Sequence, residues 1–317
     1  MSEFDLIRRY FTRATPGAVL GVGDDAALVR VGAGMELVVS TDMLVSGTHF
    51  FPDVDPFLLG HKTLAVNLSD LAAMGARPRW ATLAIALPEA DEHWLQQFSA
   101  GFFALAEQYQ VELIGGDTTR GALNLCVTIM GEVPPGAALR RDGAQPGDDV
   151  WVSGRLGDAA LALAQLQGRV KLSEAASDCC LSALHQPQPR IALGLALRGV
   201  AHSAVDISDG LLADLGHILG SSHVGAEIAF DALPFSDAMR TCSERALIRY
   251  CALAGGDDYE LCFTAAAAQR SRVTEISAQF LLPLTRIGTI VAGSRCTVRA
   301  TDGSIMEIGG SGYDHFS

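Results

Sequence analysis

Lys62-Thr63-Leu64-Ala65-Val66-Asn67-Leu68-Ser69-Asp70-Leu71-Ala72-Ala73-Met74-Gly75-Ala76 is the stretch on which the reading of the fold turns. Leu64, Leu68 and Leu71 recur at i, i+4 and i+7, which marks one apolar face of a helix. Asp55-Pro56 supplies an N-cap and a first-turn proline, and Gly75 supplies the stop. Thr63, Asn67 and Asp70 repeat the same spacing on a second face. Its polar members are short groups, which lose little entropy when they are held in place. Two readings of Asp70 stand at this point. It faces water on an alanine-rich helix, or it helps to position a metal and a phosphate.

Working outward from that helix, strand and helix signals alternate. Downstream, a strand is expected over 80–87, a helix over 89–109 and a strand over 111–114 that breaks at Gly115-Gly116-Asp117. A long strand follows over 123–133. Upstream, a short helix covers 4–11, and the turn Gly21-Val22-Gly23-Asp24-Asp25 leads into a strand over 26–31. A further strand over 36–40 ends at Thr41-Asp42. The richest run of turn residues extends from Pro134-Pro135-Gly136 to Pro146-Gly147-Asp148, and the domain boundary is placed there. This predicts two domains, 1–140 and 148–317, of mixed α/β (α+β) class. In the second domain, strands are expected over 150–153, 203–207, 259–264 and 284–291. Helices are expected between Gly157 and residue 200, from Asp209-Gly210 to 219, and over 246–253.

Composition excludes several classes of function. The 317 residues are 49% hydrophobic and 19% charged, which rules out disorder. A formal net charge of −13 makes a poor binder of nucleic acid or anionic membrane. No apolar run approaches the ~18 residues that span a bilayer, and 1–13 lacks the apolar core of an export signal, so a cytoplasmic protein is expected. The seven cysteines are odd in number and include no C-x-x-C, which fits reduced thiols. Lys62 and Lys171 are the only lysines, and neither lies in a P-loop or a protein-kinase motif. Any handling of ATP must therefore use another solution.

The aspartates fall where strands are expected to end: Asp42, Asp117, the pair Asp206 and Asp209 around Ile207-Ser208, and Asp24-Asp25 in a glycine turn. Ligand sites in α/β sheets gather at strand ends. Carboxylates converging there need a cation, and magnesium, with its preference for a few carboxylates plus phosphate oxygens, suits them. Turn and cap aspartates also arise for local backbone reasons, and each one taken singly reads as well that way. His49 in a loop, Arg141 after the turn-rich segment and Ser208 between two aspartates are lesser candidates for anion contacts.

Several segments occur in order and together resemble one family. They are Gly21-Val22-Gly23-Asp24-Asp25, Ser40-Thr41-Asp42, the 65–76 helix, Gly115-Gly116-Asp117-Thr118-Thr119-Arg120, Asp206-Ile207-Ser208-Asp209-Gly210, Gly255-Gly256-Asp257-Asp258-Tyr259-Glu260-Leu261 and Gly312-Tyr313-Asp314-His315-Phe316. Over essentially its whole length the chain resembles the thiamine-monophosphate kinase family, within the superfamily of aminoimidazole ribonucleotide synthetase and selenophosphate synthetase. The resemblance implies two α/β domains, an N-terminal sheet that pairs in a homodimer, and phosphorylation of thiamine monophosphate by ATP. It implies magnesium ligands at Asp25, Ser40, Thr41, Asp42, Asp70, Asp117, Asp206 and Asp209. It also implies ATP contacts from Gly116, Asp117, Arg141 and Ser208, and acceptor contacts from His49, Asp257 and Tyr313, with Asp70, Asp42 and Asp117 at the chemistry. Asp257 departs from the family, which commonly has Glu there. The alternative is another ATP-dependent synthetase of the superfamily, acting through a phosphorylated intermediate.

Overall fold

The computed structural model describes residues 2–306 and Gly312. The chain divides into two units: one takes the residues up to Leu71 and Ala76–Gly136, the other Ala72–Gly75 and the chain from Ala137 onward.

The first unit opens with a short helix α1 (Glu3–Leu6), which runs into a π-helical turn. Next come β1 (Glu36–Val45), α2 (Pro56–Ala73), β2 (Arg77–Leu87), α3 (Glu92–Tyr109), β3 (Glu112–Arg120) and β4 (Asn124–Val133). Four strands form one sheet in the order β1-β4-β2-β3, antiparallel except for the β2/β3 pair. α2 forms where its periodicity predicts, with Leu64, Leu68 and Leu71 wholly buried. α3 starts at Glu92 because Asp91 caps it, accepting from the N–H groups of His93 and Trp94. α2 and α3 touch backbone to backbone: a Cβ at Gly60 would overlap the Phe98 carbonyl oxygen, and one at Gly101 the Phe57 carbonyl oxygen.

Three expectations are corrected here. No strand forms over 26–31, where a single bridge joins Leu20 to Leu28. β1 continues through Thr41 and Asp42 to Val45 because β4 pairs with it along its whole length. β3 continues through Gly115-Gly116 because β2 pairs there after a bulge at Ala81/Thr82. Gly116 is needed for that approach: its φ is +150°, and a side chain would collide with the Leu83 carbonyl. Asp42 and Asp117 thus lie within strands rather than at their ends.

The second unit is built on six strands: β5 (Asp148–Ser153), β6 (Ser203–Asp206), β7 (Gly225–Ala229), β8 (Leu261–Ala266), β9 (Leu284–Val291) and β10 (Cys296–Arg299). Their order is β10-β7-β9-β5-β8-β6. β5, buried throughout, is central. The helices are α4 (Asp158–Leu166), α5 (Glu174–His185), α6 (Ile191–Leu197), α7 (Leu211–Ser222), α8 (Asp237–Thr241), α9 (Arg245–Leu253) and α10 (Arg270–Phe280). One core joins the sheet to α4, α7 and α9 through Val152, Leu161, Leu215, Ile218 and Leu253. Asp149, 1% exposed, fixes α10 and β9 to β5 by accepting from Arg270 and Arg286 at 2.6–2.8 Å.

Candidate active site

In the first unit the polar stripe of α2 faces β1 and not water. Thr63 and Asn67 are each 1% exposed. The Thr63 hydroxyl donates to the Leu59 carbonyl, and the Asn67 side-chain amide donates to the Thr63 carbonyl. Both bonds are local, and the Asn67 side-chain oxygen Oδ1 accepts the Asp42 N–H at 3.1 Å. One turn along, the Ser40 hydroxyl donates to Asp70 Oδ2 at 2.5 Å. Strand alternation puts Ser40 and Asp42 on the same face of β1, and the helical repeat puts Asn67 and Asp70 opposite them. Ser40, Asp42 and Asp70 are therefore brought together on a half-buried ledge.

The other first-unit candidates lie apart from this ledge. The Thr41 hydroxyl is paired with that of Thr128, on the opposite face of the sheet. Asp117 stands in the row Met43–Cys126–Ala84–Asp117, three strand spacings from β1, or roughly 14 Å. Asp117 and Gly116 are exposed, as is Asp25, whose N–H is received by the Asp24 carboxylate. His49 closes the turn after β1, and its Nδ1 accepts the Val45 N–H at 3.0 Å. An Nδ1 that accepts leaves Nε2 as the ring nitrogen able to carry the proton.

In the second unit β6 delivers Asp206, 5% exposed, into the turn Ile207–Gly210 that opens α7. The segment after α9 lies against this turn: Asp257 N–H donates to the Ser208 carbonyl and Tyr259 N–H to that of Ile207, each at 2.8 Å. Ser208, Asp209 and Asp257 are thereby gathered. Arg141 is exposed, whereas Arg140 is held by Asp142. Tyr313 lies outside the described residues. The Gly154–Gly157 turn spends its Gly157 N–H on the half-buried Asp258 carboxylate at 2.9 Å.

Sequence reading missed the supports of this second cluster. Asp214, 3% exposed, accepts three consecutive N–H groups, from Ser208, Asp209 and Gly210. Burial pushes its carboxyl up to about 7 against the pull of those bonds. Burial likewise pushes the Asp258 carboxyl well up. Glu260 is held by Arg190 and by the Ser153 hydroxyl. The only signal in the sequence was an aspartate five residues after Asp209, in the first turn of the helix that follows.

The chemistry of the ledge suits a hard cation, since Ser40, Asp42 and Asp70 offer oxygen alone. Among the described residues no three His, Cys, Asp or Glu side chains form a cluster able to hold a metal ion by themselves. An ion at the ledge would complete its shell with phosphate and water, which is the habit of magnesium and not of calcium. Thiol chemistry is disfavoured: all seven cysteines are unpaired, and burial pushes the Cys180 and Cys251 thiols up to about 12. Among the described residues no helix is long and apolar enough to cross a membrane.

Residues 23–133 match the N-terminal domain of AIR synthase related proteins, and residues 145–301 match the C-terminal domain. The thiamine-monophosphate kinase of Salmonella typhimurium is 48% identical over 99% of this chain and 98% of its own. The crystal structure of thiamine-monophosphate kinase from Stenotrophomonas maltophilia is 54% identical, with a TM-score of 0.88 over 96% of this chain and 98% of that one. AaThiL complexed with AMPPCP and TMP is 31% identical, with a TM-score of 0.78 over 99% of this chain and 96% of that one.

Proposed function

The chain belongs to the thiamine-monophosphate kinase family, and from that premise we propose that it transfers the γ-phosphoryl group of ATP to the phosphate of thiamine monophosphate, giving thiamine diphosphate and ADP. The observation that carries this reading is the ledge of Ser40, Asp42 and Asp70, an oxygen-only set on an acidic chain that has no P-loop.

The nucleophile is a phosphate oxygen, anionic at neutral pH, so no strong base is needed. The obstacle is repulsion between two polyanions and a protein of net charge −13. Positioning and charge neutralisation are what such a transfer requires. Asp42 and Asp70, with Ser40 beside them, would hold magnesium in the first unit and Asp206 and Asp209 in the second, and the metal would supply that neutralisation when bound. Asn67 keeps the β1 backbone at Asp42 in register with the helix. Asp25 and Asp117, apart from the ledge, would offer oxygen to separate ions; Thr41 is the weakest of the proposed donors, because its hydroxyl is engaged by Thr128 on the opposite face of the sheet. Gly116, Arg141 and Ser208 contact ATP. The Nε2–H of His49 would serve the acceptor phosphate, and Asp257 and Tyr313 its cationic ring. Asp257 is one methylene shorter than the usual Glu and would reach the ring through a shifted contact or a water.

The protein acts as a homodimer through the sheet of the first unit. On β1, Leu37, Val39 and Met43 are 42%, 54% and 51% exposed, an apolar row left open among the described residues of one chain.

Phosphorus NMR of ATP mixed with a panel of acceptors, with and without magnesium, tests the function. A diphosphate product from thiamine monophosphate alone, and only with magnesium, is expected. ADP formed with an amidine or carboxylate acceptor instead would move the chain to the synthetase reading.

A further inference from the structure

The three amides held by Asp214 belong to the turn that carries Asp206, Ser208 and Asp209, yet Asp214 itself is buried in the first turn of α7. The distances to its Oδ2 are 3.0, 3.0 and 3.1 Å. Three successive N–H groups converging on one oxygen fix the φ and ψ of the turn between them. The same turn then acts in the opposite sense. Its Ser208 and Ile207 carbonyls accept from Asp257 and Tyr259, and Ile207 N–H donates to the Glu260 carbonyl, each at 2.8 Å.

Asp257 and Tyr259 need such outside support. Their φ values are +71° and +48°, in the left-handed region that residues with side chains rarely occupy. Conformations of that kind persist only where the surroundings over-determine them. The fit between the two segments is close: a Cβ at Gly256 would overlap the Ser208 carbonyl oxygen, and one at Gly210 would press on Ala254. Between Asp257 and Tyr259 the segment has a second anchor, the Asp258 carboxylate, which accepts the Gly157 N–H.

We propose that Asp214 is a positioning residue that holds the 207–210 turn and, through its carbonyls, the left-handed 257–259 segment. One buried carboxylate would thus set the placement of the phosphate-side residues Ser208 and Asp209 and of the acceptor-side residue Asp257, without touching either ligand. The ligands assigned to these segments rest on the function proposed above; the mechanical link does not.

Amide hydrogen exchange on the full chain, free of metal and substrate, tests that link. In Asp214→Ala the amides of Ser208, Asp209, Gly210, Asp257 and Tyr259 are expected to exchange at least about tenfold faster. The amides of β5 and α4 should keep their protection. Asp214→Asn retains an acceptor oxygen of the same reach and should restore most of the protection. Should the alanine variant fail to fold, Asp214→Ser, whose hydroxyl is too short to meet all three amides, carries the same comparison. In turnover, the alanine variant should raise KM for nucleotide and for acceptor together, by about tenfold each, with rescue by Asn. Unchanged protection at the five amides would overturn the proposal, as would faster exchange spread evenly over the second unit without rescue by Asn. Absence of phosphoryl transfer to thiamine monophosphate in the parent chain would sink the functional reading and leave the exchange result to judge Asp214 alone.

Discussion

Asp70 accepts a hydrogen bond from Ser40 and lies one helical turn from Asn67, which holds the backbone of Asp42. Asp70→Asn keeps an oxygen for Ser40 and removes one negative charge. The fold should survive, with melting shifted by at most ~0.5 kcal/mol in equivalent stability. Turnover should fall by about 100-fold or more and be partly recovered at high magnesium, because phosphoryl transfer depends on charge placement. Steady-state rates across a magnesium series, beside a melting curve of the ligand-free variant, check this. Wild-type turnover at low millimolar magnesium would take Asp70 out of the site.

At the scale of elements, the α2/α3 crossing is set by two glycines. Gly101→Ala gains about 1 kcal/mol in helix propensity. The new methyl group meets the Phe57 carbonyl oxygen, which is backbone and cannot turn aside. Overpacking of this kind costs about 3 kcal/mol, so a net loss of about 2 kcal/mol is expected in denaturant unfolding; a stabilised variant would show that the helices part freely. Asp149 makes a second test. Its carboxyl is held below the usual carboxylate range by the Arg270 hydrogen bond, which outweighs burial, with Arg286 adding to the pull. A lowered folded pKa means that the stabilisation is present above the unfolded value of 3.8 and lost as pH falls through the folded one. Asp149→Asn should therefore cost about 1–2 kcal/mol near neutral pH, reduced because both arginines are half exposed. The gap from the parent should close below about pH 4. A gap that stays constant down to acid would assign the effect to packing instead.

At the scale of the molecule, the open row of β1 decides the assembly. Val39→Asp puts a charge in the middle of that row, between Leu37 and Met43, while leaving the face that packs on α2 untouched. The variant should sediment as a monomer at micromolar concentration and the parent as a dimer. A parent that runs as a monomer would remove the dimer from the proposed function.

The mixed α/β class and the helix that centres the first unit were legible in the sequence because their causes are local. A 3.6-residue repeat of leucines, an Asp-Pro start and a glycine stop act within a few residues of one another. Asp70 stood out by its helical spacing and Asp206 and Asp209 by the turn beside them, whereas Ser40 entered only with the family resemblance and Asp42 through a strand end that lies further on. What those side chains face was not legible. Thr63-Asn67-Asp70 reads equally as a wet stripe until β1 is laid against it, and the strands at Asp42 and Gly115-Gly116 run on only because β4 and β2 offer ladder partners. Residues 26–31 resemble a strand but make none, since a strand needs a partner beyond the Leu20–Leu28 bridge. Asp214 carries no mark that sets it apart from any first-turn aspartate, and only the folded turn aims three amides at it. Periodicity, caps and breakers are energies of neighbours along the chain and are written in order of residues. Strand extent, the face a polar stripe meets and the destination of a buried carboxylate are energies of neighbours in space, and they came only with the tertiary structure.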